Sequence, residues 1–433
     1  MQLGAKHASC PQPQPYSGVK DGGWASYRAP PRDVSTARRC VTSFLRDGQR
    51  LPWRRLGDRW EEEEEEEEEA EWLLQSLQLY EALHDFELQN PTRVIEWAEG
   101  NRVCVAGYGC SARNEILQLL LPPTLQAKER QGLCPERDLK VECGGFSNRP
   151  IYSLKHVQGT SLLVSSGPPD SSIQLWEMPA EDSDVIKSLS AIPTDNSPGE
   201  SWAKLATISV RAPWVLHGCR LSSTHITELE SQKKVFTAAS SSNEELSSLA
   251  FLDANTSLLC CTAGQLCMAD IRQHNPLQAA PIPSAQGGQC WRMAVGCRAP
   301  CSEPSSRPIA CLSSAGQLVL LDARKASQCL ATAKCRVPAC SSSAEFLSVS
   351  WAPALEGCLA VSGFDGTVSI YDTRSWDGAG REAQPLFVHK GHAFGEHRRV
   401  TAHAWHPQKA RTVLSAATDG SLHVWDWVQP HGS

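Results

Sequence analysis

The chain contains 433 residues, of which 41% are hydrophobic, enough for one large domain or two smaller ones. It has no run of roughly eighteen apolar residues and no apolar stretch near its start, so we expect neither a transmembrane helix nor a secretory signal. Residues 1–60 hold eleven Lys or Arg and four Asp, a net of +7; Glu61–Glu69 with Glu71 contribute −10, and the remainder carries −4. A mildly acidic body lacks the basic stripe that binds phosphate backbones, so neither nucleic acid nor membrane is an expected partner.

The eighteen cysteines are scattered, and no two have C-x-x-C spacing. Several, such as Cys104, Cys260 and Cys311, lie in apolar runs typical of strands, where a free cysteine packs as a small hydrophobic residue. Without an export signal, we interpret them as reduced thiols of a cytosolic protein.

Residues 1–70 are predicted to be a disordered extension. Pro11–Pro15 and Ala29–Pro31 show no apolar period, and the run of nine glutamates repels itself in any compact form. The alternative is that this segment is an artefact of the assigned start of the chain.

Residues 71–90 are predicted to hold a short helix followed by an extended segment. Leu73, Leu77, Tyr80 and Leu83 recur at helical spacing. The helix must end before Asn90, because proline disfavours helical geometry in the residue preceding it.

From residue 91 to 429 the chain repeats one pattern: an apolar strand, a turn with glycine, and an alternating strand that often ends in aspartate. Asp270, Asp322, Asp372 and Asp426 mark the ends of four units and are 52, 50 and 54 residues apart. A fifth clear unit ends near Trp176, and two weaker ones cover 103–120 and 215–229. Seven such units predict an all-β fold, a seven-bladed β-propeller. A β-sandwich with extra strands is the competing fold, but it would not explain the repeated glycine turns.

A propeller also predicts how the ring closes. The last unit supplies three strands, so we expect a segment within 83–90 to pair with 421–427 as the outermost strand. Closure would then remove an exposed sheet edge.

The last unit resembles a WD40 repeat most closely, through Gly391-His392, Trp405, Asp419-Gly420 and Trp425-Asp426. In that family a histidine, a serine, an aspartate and a tryptophan form a hydrogen-bonded tetrad that holds the blade together. By resemblance these residues are His392, Ser415, Asp419 and Trp425. Earlier units lack the Gly-His pair and mostly lack the tryptophan, so we expect no tetrads there.

Longer strings resemble a vertebrate WD-repeat family, among them Arg93–Trp97, Asn114–Leu117, Glu181–Lys187, Ser362–Val368 and Leu422–Val428. The resemblance implies a monomer acting within a complex, a scaffold that helps assemble the RNA endonuclease module of the Integrator complex with a HEAT-repeat partner. It also implies a mainly cytoplasmic location with a nuclear fraction, and association with microtubules (tubulin), spindle poles and the cleavage furrow. Residues 1–70 depart from the family.

No residues predict catalysis, a cofactor or a metal. Walker, G-x-G-x-x-G and G-x-S-x-G motifs are absent from the sequence. His392, His397, His403 and His406 lie close together but lack completing cysteines or carboxylates. The spacing of Cys290, Cys297 and Cys301 is too loose for a zinc site. An enzyme would need polar residues converging on the channel.

Two surface features are candidate interaction sites. Arg272, Arg324 and Arg374 each stand in an Asp-x-Arg triplet after a third strand, similar to the motif of propellers that dock onto the cullin-4 ubiquitin ligase adaptor. That gives an alternative function, a substrate receptor; the competing interpretation is that these arginines pair with carboxylates of neighbouring blades. Trp376 lies in a connector, where it either provides a binding anchor or folds back onto the rim.

Overall fold

The computed structural model describes residues 70–76, 78–107, 113–122, 125, 139–180, 183–194, 201–273, 277–283, 285, 287–296, 307–338, 344–394 and 398–428. All of the predicted disordered extension but residue 70 lies outside these residues. A helix covers 70–79, with residue 77 not described, and leads directly into strand β1 (Tyr80–Glu87). The helix prediction was therefore wrong for Tyr80 and Leu83, which lie in β1. A spacing of three residues fits a helix, and in β1 it arises because an irregularity in the register between Tyr80 and Ala82 puts Tyr80 and Leu83 in one apolar cluster and Ala82 in another.

The next strands form three antiparallel four-stranded blades, each ordered from the innermost strand outward. Blade 1 is β2 (Thr92–Trp97), β3 (Arg102–Gly107), β4 (Asn114–Leu120) and β5 (Lys140–Ser147). Blade 2 is β6 (Ser153–His156), β7 (Leu162–Gly167), β8 (Asp170–Glu177) and β9 (Lys187–Ile192). Blade 3 is β10 (Lys204–Ser209), β11 (Pro213–Gly218), β12 (His225–Glu228) and β13 (Lys234–Thr237), with a 3-10 turn at Leu221–Ser223.

Three further blades follow in the same order. Blade 4 is β14 (Leu246–Phe251), β15 (Thr256–Cys261), β16 (Gln265–Asp270) and β17 (Gln278–Pro281). Blade 5 is β18 (Trp291–Val295), β19 (Pro308–Ser313), β20 (Gln317–Asp322) and β21 (Lys325–Lys334), and β25 (Arg381–Glu382) adds to its edge in parallel. Blade 6 is β22 (Ser348–Trp351), β23 (Cys358–Ser362), β24 (Val368–Asp372) and β26 (Phe387–His389).

Blade 7 joins the two ends of the propeller. Its inner strands are β27 (Val400–Trp405), β28 (Thr412–Ala417) and β29 (Ser421–Trp427), and its outermost strand is β1. The register runs antiparallel from Tyr80 opposite Trp427 to Glu87 opposite Ser421. The closing segment thus begins three residues before the predicted range of 83–90. With seven blades, the prediction of a seven-bladed propeller is confirmed.

The core is divided among the interfaces between blades. Among the described residues, seven apolar clusters each combine side chains of two neighbouring blades, including blade 7 with blade 1. In the last of these, Ala82 of β1 and Leu414 of β28 pack with Ile95 and Val103 of blade 1. The described cysteines are free, and most are buried in these clusters. Burial of apolar surface between all neighbours stabilises the ring as a whole.

Within the described residues, no helix combines the length and the apolar character needed to cross a membrane.

Candidate functional sites

The last blade brings together the four residues singled out by the WD40 resemblance. Ser415 Oγ accepts the Trp425 indole N–H at 3.0 Å and lies 2.9 Å from His392 Nε2. His392 Nδ1 lies 2.7 Å from Ser421 Oγ, which in turn lies 2.6 Å from Asp419 Oδ1. Three of the four are therefore linked directly. Asp419 is joined through Ser421, a residue that the sequence reasoning did not include.

A second chain of hydrogen bonds runs beside the first, and β1 supplies both of its ends. Tyr80 Oη lies 2.8 Å from His389 Nδ1, His389 Nε2 lies 3.0 Å from His423 Nδ1, and His423 Nε2 lies 3.2 Å from Asp85 Oδ1. The sequence reasoning missed His389 and His423, although both lie close in sequence to tetrad residues. We call the two chains the closure network: Tyr80, Asp85, His389, His392, Ser415, Asp419, Ser421, His423 and Trp425.

One set of protonation states satisfies the closure network. Burial, followed by the charge of His423, lowers the pKa of His389 and of His392 well below the ordinary value, so both rings are neutral near pH 7. Burial also raises the pKa of Tyr80, which keeps its hydroxyl protonated. Protons are then donated in one direction along each chain, from Tyr80 to Asp85 and from Trp425 to Asp419. Each ring nitrogen of the three histidines has a partner, as buried polar groups require.

The close packing around residue 391 explains why a glycine precedes His392. A Cβ atom there would lie 2.8 Å from Cε1 of both His389 and His423. The histidine rings are also closely packed, since His392 and His423 stack with centroids 3.7 Å apart. Any larger residue would push the rings apart and break the bonds between them.

Three histidines of the closure network are also the group best placed to hold a metal ion. His389, His392 and His423 offer ring nitrogens that lie within 4.8 Å of one another. Every one of those nitrogens already has a hydrogen-bond partner, however, so an ion would have to displace those bonds. The arrangement fits a structural role better than a metal site.

The histidines that the sequence grouped together do not converge. His403 bonds Ser350 and Ser362, both at 2.7 Å, and His406 contacts Asn101 at 3.3 Å. His397 lies outside the described residues, as do Cys297 and Cys301 of the cysteine group.

One earlier blade retains part of a tetrad. The Trp176 indole N–H donates to Ser165 Oγ at 2.8 Å, with both side chains buried. This pair in blade 2 reproduces the tryptophan–serine contact of blade 7 without the histidine. The contact is a fragment of the tetrad, and it lies in one of the earlier units that retain a tryptophan.

The three Asp-x-Arg triplets share one geometry. Each arginine pairs with the aspartate two residues before it, at 2.6 Å for Arg272, 2.7 Å for Arg324 and 2.5 Å for Arg374. The arginine side chains remain 44–70% exposed. In the ion pairs of these triplets the partner is therefore the triplet's own aspartate, rather than the carboxylate of a neighbouring blade that the sequence reasoning considered.

Trp376 folds back onto its blade. Its ring makes an edge contact with Tyr371, with centroids 6.1 Å apart, and packs against the cluster between blades 5 and 6. The side chain is half-buried. Trp376 was expected either to provide a binding anchor or to fold back onto the rim, and the structure shows it folded back.

The central channel carries a charged and aromatic site at one end. A cavity of about 290 Å³ is lined by residues of all seven blades, each within or just before its innermost strand. We call this the channel mouth; its cations are Arg93, Lys155, Lys204 and Arg292, and its rings are Tyr152, Trp202 and Phe346. Polar residues thus converge on the channel; many are serine or threonine, and the charged ones are mainly cations beside aromatic rings, a set suited to holding an anion.

Of these cations, Arg93 has the most stabilising contacts. It donates to Glu345 Oε1 at 2.6 Å, and its guanidinium lies 3.6 Å from the centroid of the Tyr152 ring and 5.1 Å from that of Phe346. Charge pairing and cation–π contact together offset the cost of burying it. Lys155 is likewise paired, with Glu96 at 2.7 Å.

Lys204 and Arg292 have fewer and longer stabilising contacts than Arg93. Lys204 Nζ lies 3.7 Å from the centroid of the Trp202 ring and 3.5 Å from the Trp202 carbonyl oxygen. Arg292 Nη1 lies 3.5 Å from the Ser247 carbonyl oxygen. Burial, followed by the positive charge of Arg292, lowers the pKa of Lys204 to about 8. Both cations are therefore held in a desolvated setting with long hydrogen bonds.

Comparison with known proteins agrees with the geometry. The family model described as WD domain, G-beta repeat, matches residues 383–426, which span the outermost strand of blade 6 and the three inner strands of blade 7 except for Trp427. The fold and this match define a WD40-repeat propeller.

The relatives make the assignment narrower. The chain is 47% identical over 363 residues to Integrator complex assembly factor WDR73 of Xenopus laevis, covering 82% of this chain and 97% of that protein. It is 46% identical over 371 residues to the Homo sapiens protein of that name (83% and 97%), and 42% identical over 365 residues to that of Danio rerio (83% and 96%). The chain therefore belongs to the WDR73 family of WD40-repeat proteins.

Proposed function

We propose that this protein is a non-enzymatic scaffold that assists assembly of the Integrator complex. The observation that carries the proposal is the match, at 42–47% identity over nearly their whole length, to relatives named Integrator complex assembly factor. Identity of that extent covers the whole propeller rather than one motif. A closed ring of seven blades provides a stable surface for partners, because its strands leave few free edges.

The finer proposal concerns the partners. By its resemblance to the family, the protein acts on the RNA endonuclease module of Integrator together with a HEAT-repeat protein, and it works as a monomer within that complex. The net charge of −4 beyond the acidic run gives it no general affinity for RNA. We therefore expect it to bind the protein subunits rather than their substrate.

Depletion and rescue would test this function. Cells lacking the protein are restored with the full chain, and newly made endonuclease subunits are followed into the complex by pulse labelling and gentle affinity purification. We expect assembled module to fall on depletion and to recover on rescue. Unchanged assembly, or recovery of the chain without any Integrator subunit, would overturn the proposal.

A second function, as substrate receptor of a cullin-4 ubiquitin ligase, is favoured by one observation. The guanidinium groups of Arg324 and Arg374 are fixed by Asp322 and Asp372 yet remain largely exposed. Replacing both arginines by alanine should then abolish binding to the ligase adaptor and leave the unfolding transition unchanged. Equal adaptor binding by the variant and the parent chain eliminates this function.

We also propose, from the resemblance alone, that the protein is mainly cytoplasmic with a nuclear fraction and associates with microtubules, spindle poles and the cleavage furrow in dividing cells. Live imaging of the tagged full chain through mitosis would test it. A signal that never concentrates on the spindle or furrow argues against this location.

A further inference from the structure

The channel mouth holds two cations without a matching anion, Lys204 buried and Arg292 partly buried. Within the described part of the chain, neither Lys204 nor Arg292 has a carboxylate oxygen within 4.0 Å. An ammonium has three N–H donors and a guanidinium has five, whereas each of these two groups makes one long hydrogen bond, to a carbonyl oxygen, and Lys204 in addition lies over the Trp202 ring. Most of their donor capacity is therefore available to a ligand.

The carboxylates nearby are engaged elsewhere. Glu345 pairs with Arg93, and Glu96 pairs with Lys155. Glu245, whose charge acts on both Lys204 and Arg292, is exposed and accepts a hydrogen bond from Ser201 at 2.6 Å. The mouth consequently keeps an excess of positive charge in a setting where water screens it poorly.

Burying an unpaired charge costs free energy, which an incoming anion would recover. We propose that the channel mouth binds a carboxylate side chain presented by an acidic segment of a protein partner. The cavity, about 290 Å³, is large enough for such side chains. Its aromatic walls suit the apolar atoms of a peptide better than they suit a bare polyphosphate, which would need more cations than Lys204 and Arg292.

The inference rests on the proposed function in one respect: the acidic segment is taken to belong to a protein that this scaffold helps to assemble. Its test uses purified protein and a defined peptide. Failure of peptide binding would therefore leave the assembly role standing, and failure of the assembly assay would leave peptide binding standing.

Fluorescence anisotropy with a labelled, C-terminally amidated oligoglutamate peptide would test the site. We expect saturable binding to the full chain, and binding weakened by at least about tenfold in Lys204→Met and in Arg292→Met. Methionine keeps most of the apolar stem and removes the charge. Equal affinity of either variant and the parent chain would overturn the proposal.

Arg102→Met is the matched control, because it removes one positive charge from an exposed arginine already paired with Glu142 and outside the candidate interaction sites. It should bind the peptide as the parent chain does; a loss equal to that in the mouth variants would mean general charge attraction and would overturn the site. An oligoglutamine peptide should not bind. If it binds equally well, the carboxylate is not what is recognised.

Two further binding experiments distinguish a partner segment from other ligands of the channel mouth. A full chain in which Glu61–Glu69 are changed to glutamine should bind the peptide as the parent does; binding that appears only in this variant would assign the site to the chain's own acidic run. Inorganic phosphate should compete only weakly. Displacement of the peptide by phosphate at low concentration would identify a phosphate site instead.

Discussion

The closure network and the channel mouth both bury polar side chains, and they do so in opposite ways. In the closure network the ring nitrogens of His389, His392 and His423 all have hydrogen-bond partners, and the rings of His389 and His392 are neutral. At the channel mouth Lys204 is buried and Arg292 partly buried, both as cations with long hydrogen bonds and, among the described residues, no carboxylate within 4.0 Å.

The difference separates stability from binding. Polar groups that satisfy one another lower the free energy of the folded ring, whereas unpaired buried charges raise it and are retained for a ligand. Changes in the closure network should therefore reduce stability and spare binding. Changes at the channel mouth should reduce binding and spare, or increase, stability.

The largest expected effect is loss of the closing strand. A chain starting after residue 90 lacks β1, Tyr80 and Asp85, leaves β29 as an exposed edge, and should lose about 5 kcal/mol or more, comparable to the whole stability of a typical domain. Urea unfolding followed by tryptophan fluorescence would measure it. A chain starting at residue 70 is the control, because it keeps every contact of the closure network. Equal stability of the two truncated chains would contradict the account of closure.

The second largest effect is expected from acid, which should weaken the closure network. Because burial lowers the folded-state pKa of His389 and His392, the unfolded chain takes up protons first as pH falls below 6.5. This stability is complete above pH 6.5 and falls steadily as the pH drops below that value, because both folded-state pKa values lie well below it. We expect at least about 1 kcal/mol per histidine, measured by urea unfolding at pH 7 and pH 5. A free energy of unfolding that is the same at pH 7 and pH 5 would disprove the expected loss of stability in acid.

Two serines offer a sharper comparison inside blades. Ser415→Ala removes the acceptor of Trp425 and the partner of His392, so it should cost about 1–3 kcal/mol. Ser257→Ala in blade 4 is the matched control, since the Ser257 hydroxyl is equally buried and has no hydrogen-bond partner among the described residues. Its removal should be neutral or stabilising. Equal losses of stability in the two variants would show that the bonds of the closure network contribute little.

Lys204→Met, unlike Ser415→Ala, should increase the stability of the fold. Removing a buried, unpaired charge should raise the free energy of unfolding by about 1 kcal/mol or more at pH 7. Since the folded-state pKa of Lys204 is about 8, the cost of its charge disappears as pH rises from 8 to 10.5, and the gap between variant and parent should shrink over that range. Paired urea titrations at pH 7 and pH 10 measure this gap. A variant less stable than the parent would mean that Lys204 is structural.

The blades could be predicted from the sequence because each is a local pattern of strand, glycine turn and strand. Gly420 shows the reason: its φ of +92° and the nearby Leu88 carbonyl require glycine at the turn between β28 and β29. His392, Ser415 and Trp425 could be found because the WD40 pattern fixes their order. Ser421 was missed because any small polar residue in that turn looks the same in sequence.

The channel mouth could not be predicted from the sequence. Arg93, Lys204 and Arg292 lie about a hundred residues apart and belong to blades 1, 3 and 5. Only closure of the ring brings them to one cavity. Asp85 and His423 of the closure network are likewise distant in sequence and meet only through the pairing of β1 with β29.

Affinity purification of Integrator subunits with a double variant, Lys204→Met with Arg292→Met, would test the division between stability and binding most directly. The variant and an Arg102→Met control are expressed as full chains in cells that lack the parent protein. We predict that the double variant folds normally and recovers far less of the endonuclease subunits, while the control recovers as much as the parent chain. Full recovery by a folded double variant would contradict the claim that the channel mouth binds a segment of these partners.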